Sequence, residues 1–122
     1  MLRYRLTHPE IIGALAAAGH GSTVLLADSN YPHATAVGPK ATVVHLNLQP
    51  GQVPVDDILE CLLEAVPIEA AHLMRPDDGH EPPVFTRFRE LIAPVEPALL
   101  SRADFYAAAL YPRGDGGDAR GD

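Results

Sequence analysis

The 122-residue sequence predicts an α/β fold in which a single sheet is covered by helices. Three observations carry that expectation. Segments with apolar residues at helical spacing alternate with short aliphatic, β-branched runs along the chain. Residues 54–66 hold the strongest period, with Val55, Ile58, Leu59, Leu62, Leu63 and Val66 on one stripe. Residues 18–28 join a glycine-flanked histidine, Gly19-His20-Gly21, to a strand-like run that ends in Asp28. In open α/β sheets ligands bind beyond the carboxyl ends of strands, so this junction is the first place to look for chemistry.

Taken in order, Thr7-His8-Pro9-Glu10 has the S/T-x-x-E spacing of a reciprocal N-terminal cap. Ile11, Ile12, Leu15 and Ala18 follow at helical spacing, and Gly19 is expected to stop that helix. Both Gly19 and Gly21 can take positive φ, which lets His20 project from a tight bend. Residues 23–27 read as a strand and residues 29–39 as a turn-rich loop, followed by a second strand over 41–46. Pro50-Gly51 breaks the chain, and Pro54 opens the striped helix, which Pro67 ends. A third strand is expected over 68–74, then a polar loop over 75–83 and a helix marked by Val84, Phe85, Phe88, Leu91 and Ile92. Residues 95–100 give a fourth strand broken by Pro97, and 103–111 a final helix. The expected organisation is one domain over residues 1–111 and a disordered Gly/Asp/Arg tail over 112–122.

Composition narrows the function classes. A net charge of −7 argues against a nucleic-acid backbone as ligand, because such binders carry basic patches. One cysteine, Cys61, allows neither an intrachain disulfide nor a cysteine-rich zinc site, and it has no basic neighbour to activate it. There is no membrane-length apolar run and no opening signal segment, so a cytoplasmic location is expected. The P-loop, the dinucleotide fingerprint and the G-x-S-x-G elbow are all absent. His20 is the best candidate for proton transfer near neutral pH, set against the bland reading of an exposed turn histidine. Asp28 reads as a ligand-binding carboxylate or as the cap of a local Asx-turn. His45 and His72 fall in expected strands, His8 in a helix cap and His33 and His80 on loops; His72 and His80 have neither helical ligand spacing nor a nearby cysteine, so no metal is expected. The Arg113-Gly114-Asp115 and Arg120-Gly121-Asp122 tripeptides in the biased tail are read as coincidence.

The Gly19-His20-Gly21 turn, the run ending Ala27-Asp28 and the following Asn30-Tyr31-Pro32 resemble the signature of the L-fucose mutarotase / D-ribose pyranase (RbsD/FucU) family. Pro54-Val55-Asp56-Asp57-Ile58-Leu59, Pro83-Val84-Phe85-Thr86 and Arg102-x-x-Phe105-Tyr106 add weaker matches. The resemblance implies an RbsD/FucU-like α/β subunit that assembles into dimers or decamers, with a monosaccharide as ligand and no cofactor. It assigns His20 as the catalytic acid/base and Asp28 and Arg102 as sugar-binding residues. The Asn-Tyr-Pro loop and Arg102 resemble the fucose branch, since the ribose branch usually has histidine at the Arg102 position. The implied activity is mutarotation, with L-fucose the expected sugar and ribose pyranase activity the near alternative. The family's terminal Tyr-Gly-Asn strand pair has no counterpart here, as the chain runs from Tyr106 through Pro112 into the tail. That departure keeps open a different class of function, a non-catalytic sugar-binding or oligomerising subunit.

Overall fold

The computed structural model describes residues 1–110. The expected tail, Tyr111 and both Arg-Gly-Asp tripeptides lie outside the described residues. Four helices and two strands follow in the order α1 (Pro9–Ala17), α2 (Val55–Ala65), β1 (His72–Met74), α3 (Val84–Ile92), β2 (Ala98–Leu100) and α4 (Arg102–Leu110). The strands pair in parallel, with His72 opposite Ala98, Leu73 opposite Leu99 and Met74 opposite Leu100. The ladder extends one bond further, where the Arg75 amide donates to the Leu100 carbonyl at 2.7 Å. Parallel strands need a crossover, and α3 supplies it. The α4 helix covers both strands, while α2 packs on α3. The class is α/β, as the alternation of periods predicts.

The α2 and α3 helices form where the sequence is most periodic. Asp56 and Asp57 sit in the first turn of α2, where acidic groups complement the helix dipole. The α2 stripe turns Leu62 inward, and α3 buries Phe85 and Ile92, with the Phe85 and Phe88 rings 6.0 Å apart. With Leu6 and Ala36 these make up the buried apolar set among the described residues, none of them sealed off completely. Charge holds the rim of this unit. Arg5 reaches Glu64 at 2.6 Å and Glu60 at 3.2 Å, and Glu60 also accepts from Arg87 at 2.8 Å. These groups are exposed or half-buried, so they orient the segments more than they stabilise them.

Several local expectations are corrected. The Thr7–Glu10 cap does not form: His8 is the N-cap, with no side-chain cap bond, and Pro9 occupies the first turn. Proline brings a preset φ and no N–H, so the helix starts one residue later and the S/T-x-x-E spacing falls out of register. The α1 helix ends at Ala17 with Ala18 as its C-cap, so Gly19 does stand at the C′ position expected of it, but of the two turn glycines only Gly21 has positive φ, at 86°. Residues 23–27 and 41–46 form no strand. They are β-branched enough for one, but a ladder needs two paired segments, and among the described residues neither run pairs with the other or with β1 or β2. Val24 and Val43 consequently stay exposed, at 57% and 43%. The third and fourth strands shorten to three residues each, and β2 begins directly after Pro97, which cannot donate to a ladder. Val53, ahead of α2, sits at φ 54°, a left-handed conformation that costs a β-branched residue about 1–2 kcal/mol.

Among the described residues no helix is long and apolar enough to cross a membrane.

Candidate functional site

The His20 turn is closed by its own backbone and Ser22. The Gly19 amide donates to Ser22 Oγ at 3.0 Å, and the Ser22 amide donates to the Gly19 carbonyl at 3.0 Å. The positive φ of Gly21 completes the reversal, and the His20 ring stands out from it with 89% of its side chain exposed. Its Nδ1 lies 2.8 Å from Glu69 Oε1. An ionised carboxylate only accepts hydrogen bonds, so the proton sits on Nδ1, and Nε2 is the nitrogen left to take a proton from a ligand. Glu69 belongs to the link between α2 and β1, three residues ahead of the first strand. Sequence reasoning does not find it, because the pair is 49 residues apart and nothing in the local pattern marks Glu69.

Asp28 closes a local turn. Its Oδ1 accepts from the Asn30 amide at 2.9 Å, and its carbonyl accepts from the Tyr31 amide at 3.1 Å. The Asx-turn alternative is therefore realised, whatever else this carboxylate does. The turn delivers Tyr31 to α4. Its hydroxyl donates to the Ala36 carbonyl at 2.6 Å, and its ring meets Phe105 and Tyr106 edge-on at 6.3 and 5.5 Å. Burial, and secondarily the neighbouring Tyr106, push the Tyr31 hydroxyl pKa above 10. The folded state thus holds this proton at pH values where the unfolded chain releases it. Tyr31 contributes its full stability below pH 10 and loses it as pH rises through the folded value. A spectrophotometric alkaline titration should show one tyrosine ionising late, together with loss of structure. Tyr31→Phe should remove that late component.

Arg102 is the first residue of α4, directly after Ser101, whose Oγ accepts from the Asp104 amide at 3.2 Å. Its Nη2 donates to Asp77 Oδ2 at 2.7 Å. The Asp77 charge and hydrogen bond, followed by Tyr106, raise the guanidinium pKa further above its ordinary range. Asp77 follows β1 and Arg102 follows β2, so this ion pair spans the carboxyl ends of the parallel strands.

The structure thus joins two of the three predicted residues to a common region and leaves the third apart. The Asp28 turn reaches α4 through Tyr31 and Tyr106, and Tyr106 lies one helical turn after Arg102. His20 is tied instead to Glu69, on the amino-end side of β1. Among the described residues no hydrogen bond or ion pair links His20 to Asp28 or Arg102. The expectation that His20 and Asp28 flank one strand changes accordingly, since the run between them is unpaired. Sequence reasoning also leaves Tyr106 without a role beyond the resemblance, although its ring meets Tyr31 and it lies one helical turn after Arg102. None of these residues lines the apolar cavity of about 190 Å³ between α1 and the end of α2, which is formed by Tyr4, Leu6, Ile12, Leu15, Ala16, Ala65 and Val66. The rings of His33 and His45 meet edge-on at 5.3 Å, and among the described residues no cluster of three or more metal-ligating side chains occurs.

An α/β domain with a parallel strand pair, a histidine–carboxylate pair at one end and an arginine–carboxylate pair at the other is the class that fold and site define. The profile of the RbsD / FucU transport protein family matches residues 1–111, and the chain belongs to that family. A D-ribose pyranase of Variovorax paradoxus (strain S110) is 33% identical over 82 residues, which cover 67% of this chain and 59% of that protein. The chain therefore spans about three fifths of the length of this curated relative. No solved structure matches it.

Proposed function

We propose that the protein is a monosaccharide mutarotase that interconverts sugar anomers by acid/base-assisted opening and closure of the ring, with L-fucose as substrate. The observation that carries this reading is the 2.8 Å bond between His20 Nδ1 and Glu69 Oε1. With Nδ1–H held by the carboxylate, Nε2 can take the proton from the anomeric hydroxyl. The anomeric C–O becomes a carbonyl, the bond from the anomeric carbon to the ring oxygen breaks, and the ring oxygen takes up a proton from solvent, to which His20 is open. Rotation of the freed aldehyde and reclosure reverse both transfers on the other face. Glu69 stabilises the imidazolium formed in between. Asp28 and Arg102 serve as hydrogen-bonding partners for the hydroxyls of a neutral sugar. The reaction as written uses no cofactor.

Membership of the family and the likeness to a D-ribose pyranase support sugar isomerisation in general. Arg102, which resembles the fucose branch, favours fucose over ribose. The layout also supports a homo-oligomer, dimer to decamer. His20–Glu69 and Arg102–Asp77 lie toward opposite ends of β1, and a pocket shared between copies would bring both kinds of group to one sugar. The protein is proposed to act in the cytoplasm.

NMR saturation transfer between the α and β anomers of L-fucose, with D-ribose in parallel, tests the reading. Faster fucose exchange in the presence of the protein is the expected result. Faster exchange with ribose alone moves the assignment to a ribose pyranase. The separation of His20 from Arg102 favours a second reading, a sugar-binding subunit without catalysis. Calorimetric binding of fucose without any exchange would establish it.

A further inference from the structure

We propose that Asp77 is a specificity-determining residue, whose ion pair with Arg102 keeps phosphorylated sugars out of the site and reserves it for neutral ones. The inference rests on the sugar reading above. Arginine is the side chain best matched to a phosphate, through a planar fork of donors and a permanent charge. An unpaired arginine in a sugar pocket would therefore rank a sugar phosphate above the free sugar. Here Asp77 Oδ2 sits 2.7 Å from Arg102 Nη2 and supplies the opposite charge in advance. Both side chains are exposed, at 55% and 70%, so a ligand can reach the pair.

The two ligand classes meet this pair differently. A guanidinium has five N–H donors, and Asp77 engages Nη2. A sugar hydroxyl can accept from the remaining donors without displacing the carboxylate. A phosphate must either displace Asp77 or lie beside it. The nearby charge makes both courses worse, because Asp78 is the next residue and Asp104 lies in the first turn of α4. Among the described residues Arg75, whose amide extends the ladder, is a second cation near this strand end. It must be distinguished from Arg102 in any anion measurement.

The test titrates inorganic phosphate into the full chain at low ionic strength, where exposed charges act most strongly, followed by NMR chemical shifts. Like charges about 4 Å apart in water cost roughly a factor of five, so Asp77→Asn should bind phosphate at least about fivefold more tightly than the unmodified protein. Asp77→Glu, which restores the charge, should return to the weak level. Adding Arg102→Ala to Asp77→Asn should erase the gain. Unchanged phosphate affinity in Asp77→Asn overturns the proposal, as does a gain that survives Arg102→Ala and so belongs to Arg75. The titration needs no turnover, which separates the two readings. A phosphate gain with no sugar exchange in any variant sinks the sugar reading and leaves Asp77 as the group that keeps anions off Arg102. Sugar exchange without the gain does the reverse.

Discussion

His20→Ala is expected to slow protein-catalysed anomer exchange by about 10²–10⁴-fold, the usual contribution of a positioned proton-transfer group. The substitution removes the one imidazole held by Glu69, and Asn at the same position would keep a polar side chain without a base. Fold and activity separate cleanly at this site. The His20 side chain is 89% exposed and its hydrogen bond is to Glu69, itself 59% exposed, so the thermal midpoint should stay near that of the unmodified protein. Glu69→Gln keeps an acceptor for Nδ1–H but loses the charge that stabilises the imidazolium, and should give an intermediate rate. Saturation transfer on L-fucose reads all three variants. Exchange by His20→Ala at the unmodified rate would remove this histidine from the mechanism.

The largest effect on stability is expected from Phe85→Ala. Deleting a buried phenyl group costs about 3–5 kcal/mol, through lost transfer energy and the cavity left behind. Phe85 is 7% exposed and belongs to the small buried set that includes Leu62 and Ile92, at the packing of α2 on α3. Small domains hold only about 5–15 kcal/mol in total, so the variant should be partly unfolded at ambient temperature or melt far below the parent. Urea denaturation followed by circular dichroism measures the loss. Val24→Ala, at a side chain 57% exposed, is the matched control and should shift stability by less than about 0.5 kcal/mol. Equal losses in the two variants would mean that the α2–α3 unit is not the core.

The parts of the fold legible in the sequence are those specified by local spacing. The stripe from Val55 to Val66 and the Phe85–Ile92 period both become helices, with their apolar faces turned inward, because a 3.6-residue repeat buries a face whatever its partner. The residues over 23–27 and 41–46 have strand composition, yet pairing is a property of two segments and cannot be read from one. The same limit governs the site. His20, Asp28 and Arg102 are visible through the glycine-flanked turn and the family resemblance, and the family itself is upheld by the profile match. Glu69, Asp77 and the meeting of Tyr31 with Tyr106 are not, since each contact joins positions far apart in the chain and depends on how β1 and α4 come together.

Among the described residues α1 buries no side chain completely and makes no close backbone approach to another helix or strand. Its Ile12 and Leu15 border the cavity beside Ala65 and Val66 instead of filling a tight interface. Such an element belongs to the low end of local unfolding free energies, so its amides exchange with solvent through openings that leave α2 and α3 intact. His20 rides at the end of that loosely seated helix, and its bond to Glu69 is the clasp that returns the segment to β1. His20 is thereby attached to the part of the molecule that opens first, while Arg102 and Asp77 meet where α4 packs on both strands.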